Sequence, residues 1–246
     1  MVIPLGRVIE LVRYPVKSMA GVATESATLG WHGLDGDRRF AFRRLGDGSG
    51  FPWLTASRFP GLLLYRPVGL DESSGEPLPT HVRTPAGKQV ELTSPELQSE
   101  IAESCGIPVE MMKLKNGIFD DAPVSVIGTG TIAAIGREVE LDLDRRRFRA
   151  NIVLETSEAG PFLEDGWVGG TLMFGADDSA PAVSVTSRDV RCMMINLDPD
   201  TALQDGRVLK TVVRLNATNA GVYGAVVRPG TIRVRQEVSF IPDRSR

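Results

Sequence analysis

The segment Arg7–Tyr14 alternates apolar and charged residues, the period of a half-buried strand. Pro15 ends that ladder because it has no N–H to donate. Short alternating runs predict further strands at Ala23–Leu29, Phe40–Arg43, Leu62–Val68, Val124–Ile127, Ile152–Glu155, Thr171–Phe174, Val183–Thr186, Met193–Leu197 and Thr231–Val238. Val82–Thr84 and Gln89–Leu92 flank Pro85-Ala86-Gly87-Lys88 and predict a hairpin. Helical spacing is rarer. Leu97, Ile101 and Cys105 share one face after Ser94-Pro95, a good cap followed by a tolerated first-turn proline, and Gly106 suits the far end. Thr131–Val139 and Val208–Leu215 read as two more helices. The expected fold class is therefore mainly β (α+β), barrel-like, with a few helices.

Composition narrows the functions. Lys plus Arg number 28 and Asp plus Glu 31, so the net charge is −3 and nucleic acid is not expected as a partner. Two cysteines cannot hold an iron–sulfur cluster, which usually takes four. The longest uncharged stretch, Ala122–Gly136, contains Pro, Gly and Thr and is too short to span a membrane. No basic leader precedes an apolar core, so the expectation is a cytoplasmic, monomeric protein with reduced thiols. Polar Lys113–Asp121, with the turn pair Asn116-Gly117, suggests a boundary between units 1–115 and 116–246.

Familiar catalytic motifs are missing: no P-loop, no H-E-x-x-H, no G-x-S-x-G, no C-x-x-C. Gly128-Thr129-Gly130 reads as a helix entry, and His32 and His81 as loop residues. Four patches stand out instead. Tyr14-Pro15-Val16-Lys17-Ser18 sets a cation and a hydroxyl after a strand end. Gly36-Asp37-Arg38-Arg39 sets guanidiniums on a tight turn. Arg145-Arg146-Arg147-Phe148-Arg149-Ala150-Asn151 brings four more, and Arg191-Cys192 puts a thiol beside a cation. Arginine forks and glycine-turn amides bind phosphate, and a thiolate is a soft-metal ligand. The combination suggests a pocket for a polyanion carrying a soft metal.

These patches, with Gly33-Leu34-Asp35-Gly36-Asp37-Arg38, Pro123–Ile135, Asp198-Pro199-Asp200-Thr201 and Gly230-Thr231-Ile232-Arg233-Val234, resemble the MOSC family, named for the C-terminal domain of molybdenum-cofactor sulfurase. The likeness spans nearly the whole chain. It is nearest to the two-module branch that includes the mitochondrial amidoxime-reducing component and bacterial hydroxylamine-detoxifying relatives. The resemblance implies an N-terminal MOSC β-barrel module over 1–115 and a MOSC catalytic domain over 116–246. It implies a molybdenum cofactor (Mo-molybdopterin) with Cys192 as the one protein ligand to the metal. Lys17, Ser18, Arg38, Arg149, Asn151 and Arg191 match cofactor-holding positions, and Asp198 matches an acid near the metal. It implies reduction of a small N-hydroxylated substrate, with electrons from a separate electron-transfer protein. The alternative is a cofactor or sulfur carrier without turnover. The sequence departs from the family pattern at Ile195-Asn196-Leu197, Ala202, Ala150 and Ala122, which bears on the rim and the substrate and leaves Cys192 in place.

Overall fold

The computed structural model describes residues 2–243. Its first half holds β1 (Ile3–Arg13), β2 (Val22–Thr24), β3 (Ser26–Gly30), β4 (Gly33–Leu34), β5 (Phe40–Arg44), β6 (Arg66–Val68), β7 (His81–Arg83), β8 (Gln89–Glu91), α1 (Pro95–Cys105) and β9 (Val109–Lys113). Its second half holds β10 (Val124–Gly128), α2 (Thr129–Val139), β11 (Ile152–Thr156), β12 (Thr171–Phe174), β13 (Ala182–Val190), α3 (Arg207–Asn216), β14 (Asn219–Arg228), β15 (Gly230–Arg233) and β16 (Glu237–Ile241).

Seven strands close into a barrel in the order β1, β11, β10, β14, β13, β12, β16 and back to β1, with β2 added to β1. Only β10 and β11 run parallel. Closure removes the exposed edges of an open sheet. It depends on the first strand: residues 3–7 of β1 pair with β16 while residues 6–11 pair with β11. Gly6 sits at the handover with φ 147°, where a Cβ would meet the Glu155 carbonyl oxygen at 1.9 Å, so only glycine fits. β1 is thus hydrogen-bonded to strands that follow residue 150, across the division suggested by Asn116-Gly117.

Val8, Leu11, Ile152, Leu154, Leu172, Phe174, Val183, Val222 and Val238 fill the barrel. Each such side chain contributes about 1.5–3 kcal/mol on burial. α2 and α3 lie outside it over Ile127, Val153 and Ala220, with Phe148 in the same layer. A second core, with Met19, Phe42, Leu54, Leu62, Leu97 and Ile101, lies beneath α1 and β5–β9. The class is mainly β with a few helices, as expected.

The helix signals at α1 hold. The Ser94 hydroxyl accepts from Leu97 N–H at 3.3 Å, and Gly106 is left-handed at φ 67°. Cys105 is half-buried against the second core. Other expectations fail. Leu62–Val68 begins as a 3-10 turn, Pro60–Leu64, before β6. Met193–Leu197 is a 3-10 turn, Met193–Asn196, and not a strand. Thr231–Val238 is split into β15 and β16 by Arg235 at φ 70°. His81 lies in β7, not a loop, while His32 is exposed as expected. β9 and β14 had no counterpart in the strand pattern.

Candidate functional site

β1 stops at Tyr14-Pro15 and the chain bends onto the Asp37–Phe40 segment. Asp37 accepts from Tyr14 N–H at 2.6 Å, Arg38 N–H donates to the Tyr14 carbonyl at 2.8 Å, and Lys17 N–H donates to the Phe40 carbonyl at 2.8 Å. The 3-10 turn Arg145–Phe148 delivers Arg149 to the same place, just before β11. β13 ends nearby and delivers Arg191 and Cys192. Between these segments lies a cleft of about 390 Å³.

Lys17, Ser18, Arg38, Arg149, Arg191 and Cys192 all line it. Three of them hold left-handed backbone without being glycine: Ser18 at φ 67°, Arg38 at φ 49° and Arg149 at φ 51°. Such backbone costs about 1–3 kcal/mol per residue and gathers at functional sites. Arg38 and Arg149 approach the Tyr14 ring, 5.2 and 4.3 Å from its centroid, so one aromatic carries two cations. Burial pushes the Tyr14 phenol up to about 12, although both guanidiniums oppose it.

The cations differ in their compensation. Arg38 pairs with buried Asp37; burial pulls its pKa down, but Asp37 together with Tyr223 and Asp120 holds it above the usual arginine range. Lys17 pairs with Asp120 at 2.7 Å, yet burial still pulls the ammonium below its ordinary value. The same pairing keeps Asp120 low despite its own burial. Arg149 forms no ion pair among the described residues, although Asp37 and Asp120 lie near enough to favour its charge. Its Nη1 donates to the Met19 carbonyl at 2.7 Å, and burial, assisted by Arg38, brings its pKa down to about 10. A guanidinium in that position favours a bound anion. Arg191 donates to the carbonyls of Ala220 and Phe148, both at 2.6 Å, and lies 2.8 Å from Asp189. Gly221 makes room for it: a Cβ there would stand 3.0 Å from Nη2.

Cys192 is exposed, at the start of the Met193–Asn196 turn. Asn151 and Asp198 lie apart from the lining. Asn151 is fully buried behind Arg38: its Oδ1 accepts from Arg38 at 3.3 Å and from the Ser125 hydroxyl at 3.1 Å, and its amide donates to the Val12 carbonyl at 3.1 Å. Asp198 closes a turn by accepting from the Asp200 and Thr201 N–H groups, and grips Arg147 at 2.9 Å. Arg147 does line the cleft, so Asp198 touches the site through it. Arg145 and Arg146 turn outward, to Glu10 at 2.5 Å and to Asp144 and Asp200.

Sequence reasoning did not select Phe51, Asp120, Asp189 or Tyr223, which also line the cleft. Phe51, Asp120 and Tyr223 arrive from distant segments that no local motif marks, while Asp189 had a signal, two positions before Arg191-Cys192. Arg147 had a signal, since it stands two positions before Arg149 in the same run.

Lys17, Arg38, Arg147, Arg149 and Arg191 face Asp120 and Asp189, leaving the cleft cationic. Among the described residues no group of three His, Cys, Asp or Glu is placed to hold a metal. A metal at Cys192 would therefore need its other ligands from a bound cofactor. An exposed thiol beside an undercompensated guanidinium cluster fits a phosphate-bearing cofactor that carries its own metal ligands.

Family models extend over most of the chain. The model described as the MOSC domain matches residues 113–239, and the MOSC N-terminal beta barrel domain matches residues 5–105. No curated protein gave a match. Among solved structures, the YuaD protein from Bacillus subtilis is 12% identical, with a TM-score of 0.51 over 99% of this chain and 98% of that one. YiiM from Escherichia coli is 15% identical over 50% of this chain and 56% of that one, with a TM-score of 0.36.

Proposed function

The chain belongs to the MOSC family, and from that footing we propose a molybdenum-cofactor-dependent reductase of small N-hydroxylated compounds, fed by a separate electron-transfer protein. Family membership supports a function associated with the molybdenum cofactor. The observation that carries the reading further is an exposed Cys192 in the same cleft as Arg149, a half-buried cation that forms no ion pair among the described residues.

In this reading Cys192 is the single protein ligand to the metal. Lys17, Arg38 and Arg149 neutralise the cofactor phosphate, and the Ser18 hydroxyl adds a donor. Arg191 holds the pterin side. Asn151 acts from behind by fixing the Arg38 guanidinium, and Asp198 by fixing Arg147. When bound, the cofactor supplies two-electron chemistry that removes oxygen from an N–OH group as water. The protein contributes position, charge and exclusion of solvent.

The test is metal content and turnover in protein made by a host that synthesises the cofactor. Wild type is expected to hold molybdenum near one per chain and to reduce hydroxylamine-type compounds with an artificial donor. Cys192→Ser is expected to lose the metal. Equal molybdenum in that variant overturns the ligand assignment. Full molybdenum without turnover turns the reading to a cofactor carrier.

A further inference from the structure

Asp189 is a carboxylate with no role in the account above. It stands near the end of β13 between exposed Arg188 and Val190 and is itself only 2% exposed. The register of β13 against β14 shifts between Val185 and Ser187 and again between Arg188 and Val190. Such irregularities re-aim side chains near functional sites. Asp189 Oδ2 lies 2.8 Å from Arg191 Nη2, but the two are not aligned as a hydrogen bond. Among the described residues both atoms are buried without a hydrogen-bond partner. Tyr223, on β14, is half-buried and adjacent to Asp189, and both line the cleft with Cys192. A buried ion pair whose facing atoms make no hydrogen bond is unusual and asks for a ligand or a chemical task.

Resting on the reductase reading, we propose that Asp189 is the proton donor for N–O cleavage and that Tyr223 links it to solvent. The overall step is R–NH–OH plus two electrons and two protons giving R–NH2 plus water. The electrons come from the external electron-transfer protein. The N–O bond breaks, Asp189 gives one proton to the departing oxygen, and water gives the second to nitrogen. Asp189 is then reprotonated through the Tyr223 hydroxyl, which donates to it and accepts from water.

The surroundings suit the role. Burial pushes the Asp189 carboxyl up to about 6, Asp120 adds to this, and Arg191, Arg38 and the Tyr223 hydroxyl oppose it. An anion seated against Arg191 weakens its main opponent and moves the acid closer to neutral pH, where a donor works best.

The experiment follows kcat of the metal-loaded enzyme across pH with an artificial one-electron donor, and 13C-carboxyl resonances of the cofactor-free protein. Wild type is expected to lose rate as pH rises through one ionisation. Asp189→Asn, with metal content unchanged, is expected to lose about 100-fold or more in kcat and to lose that limb, with KM held. One aspartate resonance is expected to titrate near 6 and to vanish in the variant. Tyr223→Phe, which keeps every charge at neutral pH, is expected to move the limb, and serves should the Asn variant shed its metal. Wild-type rate and limb in Asp189→Asn, or an unmoved limb in Tyr223→Phe, overturns the proposal. Turnover without a carboxyl titrating near 6 overturns the donor alone. Such a carboxyl without any turnover overturns the reductase reading and the donor with it.

Discussion

Val8 and Leu11 on β1 are wholly buried in the barrel among Ile152, Leu154 and Val238. A few residues further along the same chain, Lys17 and Ser18 line a cleft of opposite character. In the barrel, apolar burial and complete backbone pairing favour the folded state without help. In the cleft, three non-glycine residues are left-handed, and among the described residues Arg149 forms no ion pair and Asp189 Oδ2 has no hydrogen-bond partner. Each of those features carries a cost in the folded protein, and the anionic cofactor proposed for the cleft would offset part of it. One region is built for stability and the other stores energy for binding, and they share strands β1, β11 and β13.

Experiments that break the barrel should have the largest effect. Removal of residues 2–13, with Met1 kept, deletes the strand between β11 and β16. It is expected to abolish the cooperative thermal transition seen by circular dichroism. The effect of Asp189 on stability comes next. Its folded carboxyl titrates near 6, above the unfolded value of 3.8, so the folded state holds an extra proton between those values. Stability is therefore greatest below 3.8 on this account and falls as pH rises to about 6. The change is about 3 kcal/mol in urea melts of the cofactor-free protein, and Asp189→Asn should lack it. The cleft's other charges give smaller shifts. Arg149→Gln is expected to weaken binding of a phosphate-bearing pterin about tenfold by calorimetry with little change in melting temperature. Arg146→Gln, three residues away in the same run, is expected to change binding by less than twofold and stability by about 0.5 kcal/mol. Equal losses for the two arginines would erase the distinction between inward and outward guanidiniums.

Local signals were readable where local physics decides. Pro15 ends β1, and Ser94 and Gly106 bound α1, because capping and ring geometry act within a few residues. β14 was not readable: Gly221, Gly224 and Asn219 mask its alternation, and its pairing with β10 and β13 supplies what propensity lacks. Met193–Asn196 has the composition of a strand but folds as a 3-10 turn. There Asn196 is free to accept from Leu209 N–H at 2.8 Å and so anchors the first turns of α3. In the cleft, the cationic patches and Cys192 were visible as motifs. The carboxylates that tune them were not. Asp120 reaches Lys17 through tertiary approach across 103 residues, whereas Asp189 stands two positions before Arg191 with nothing local to show that its side chain turns inward.

The closing of the barrel through β1 has a consequence for synthesis. β1 leaves the ribosome well before β16, against which it zips and which emerges some 230 residues later. A nascent chain must therefore carry β1 unpaired on that side through most of translation, a long-range pairing of the kind that folds slowly. Closure of the barrel on that side accordingly waits until β16 has been made.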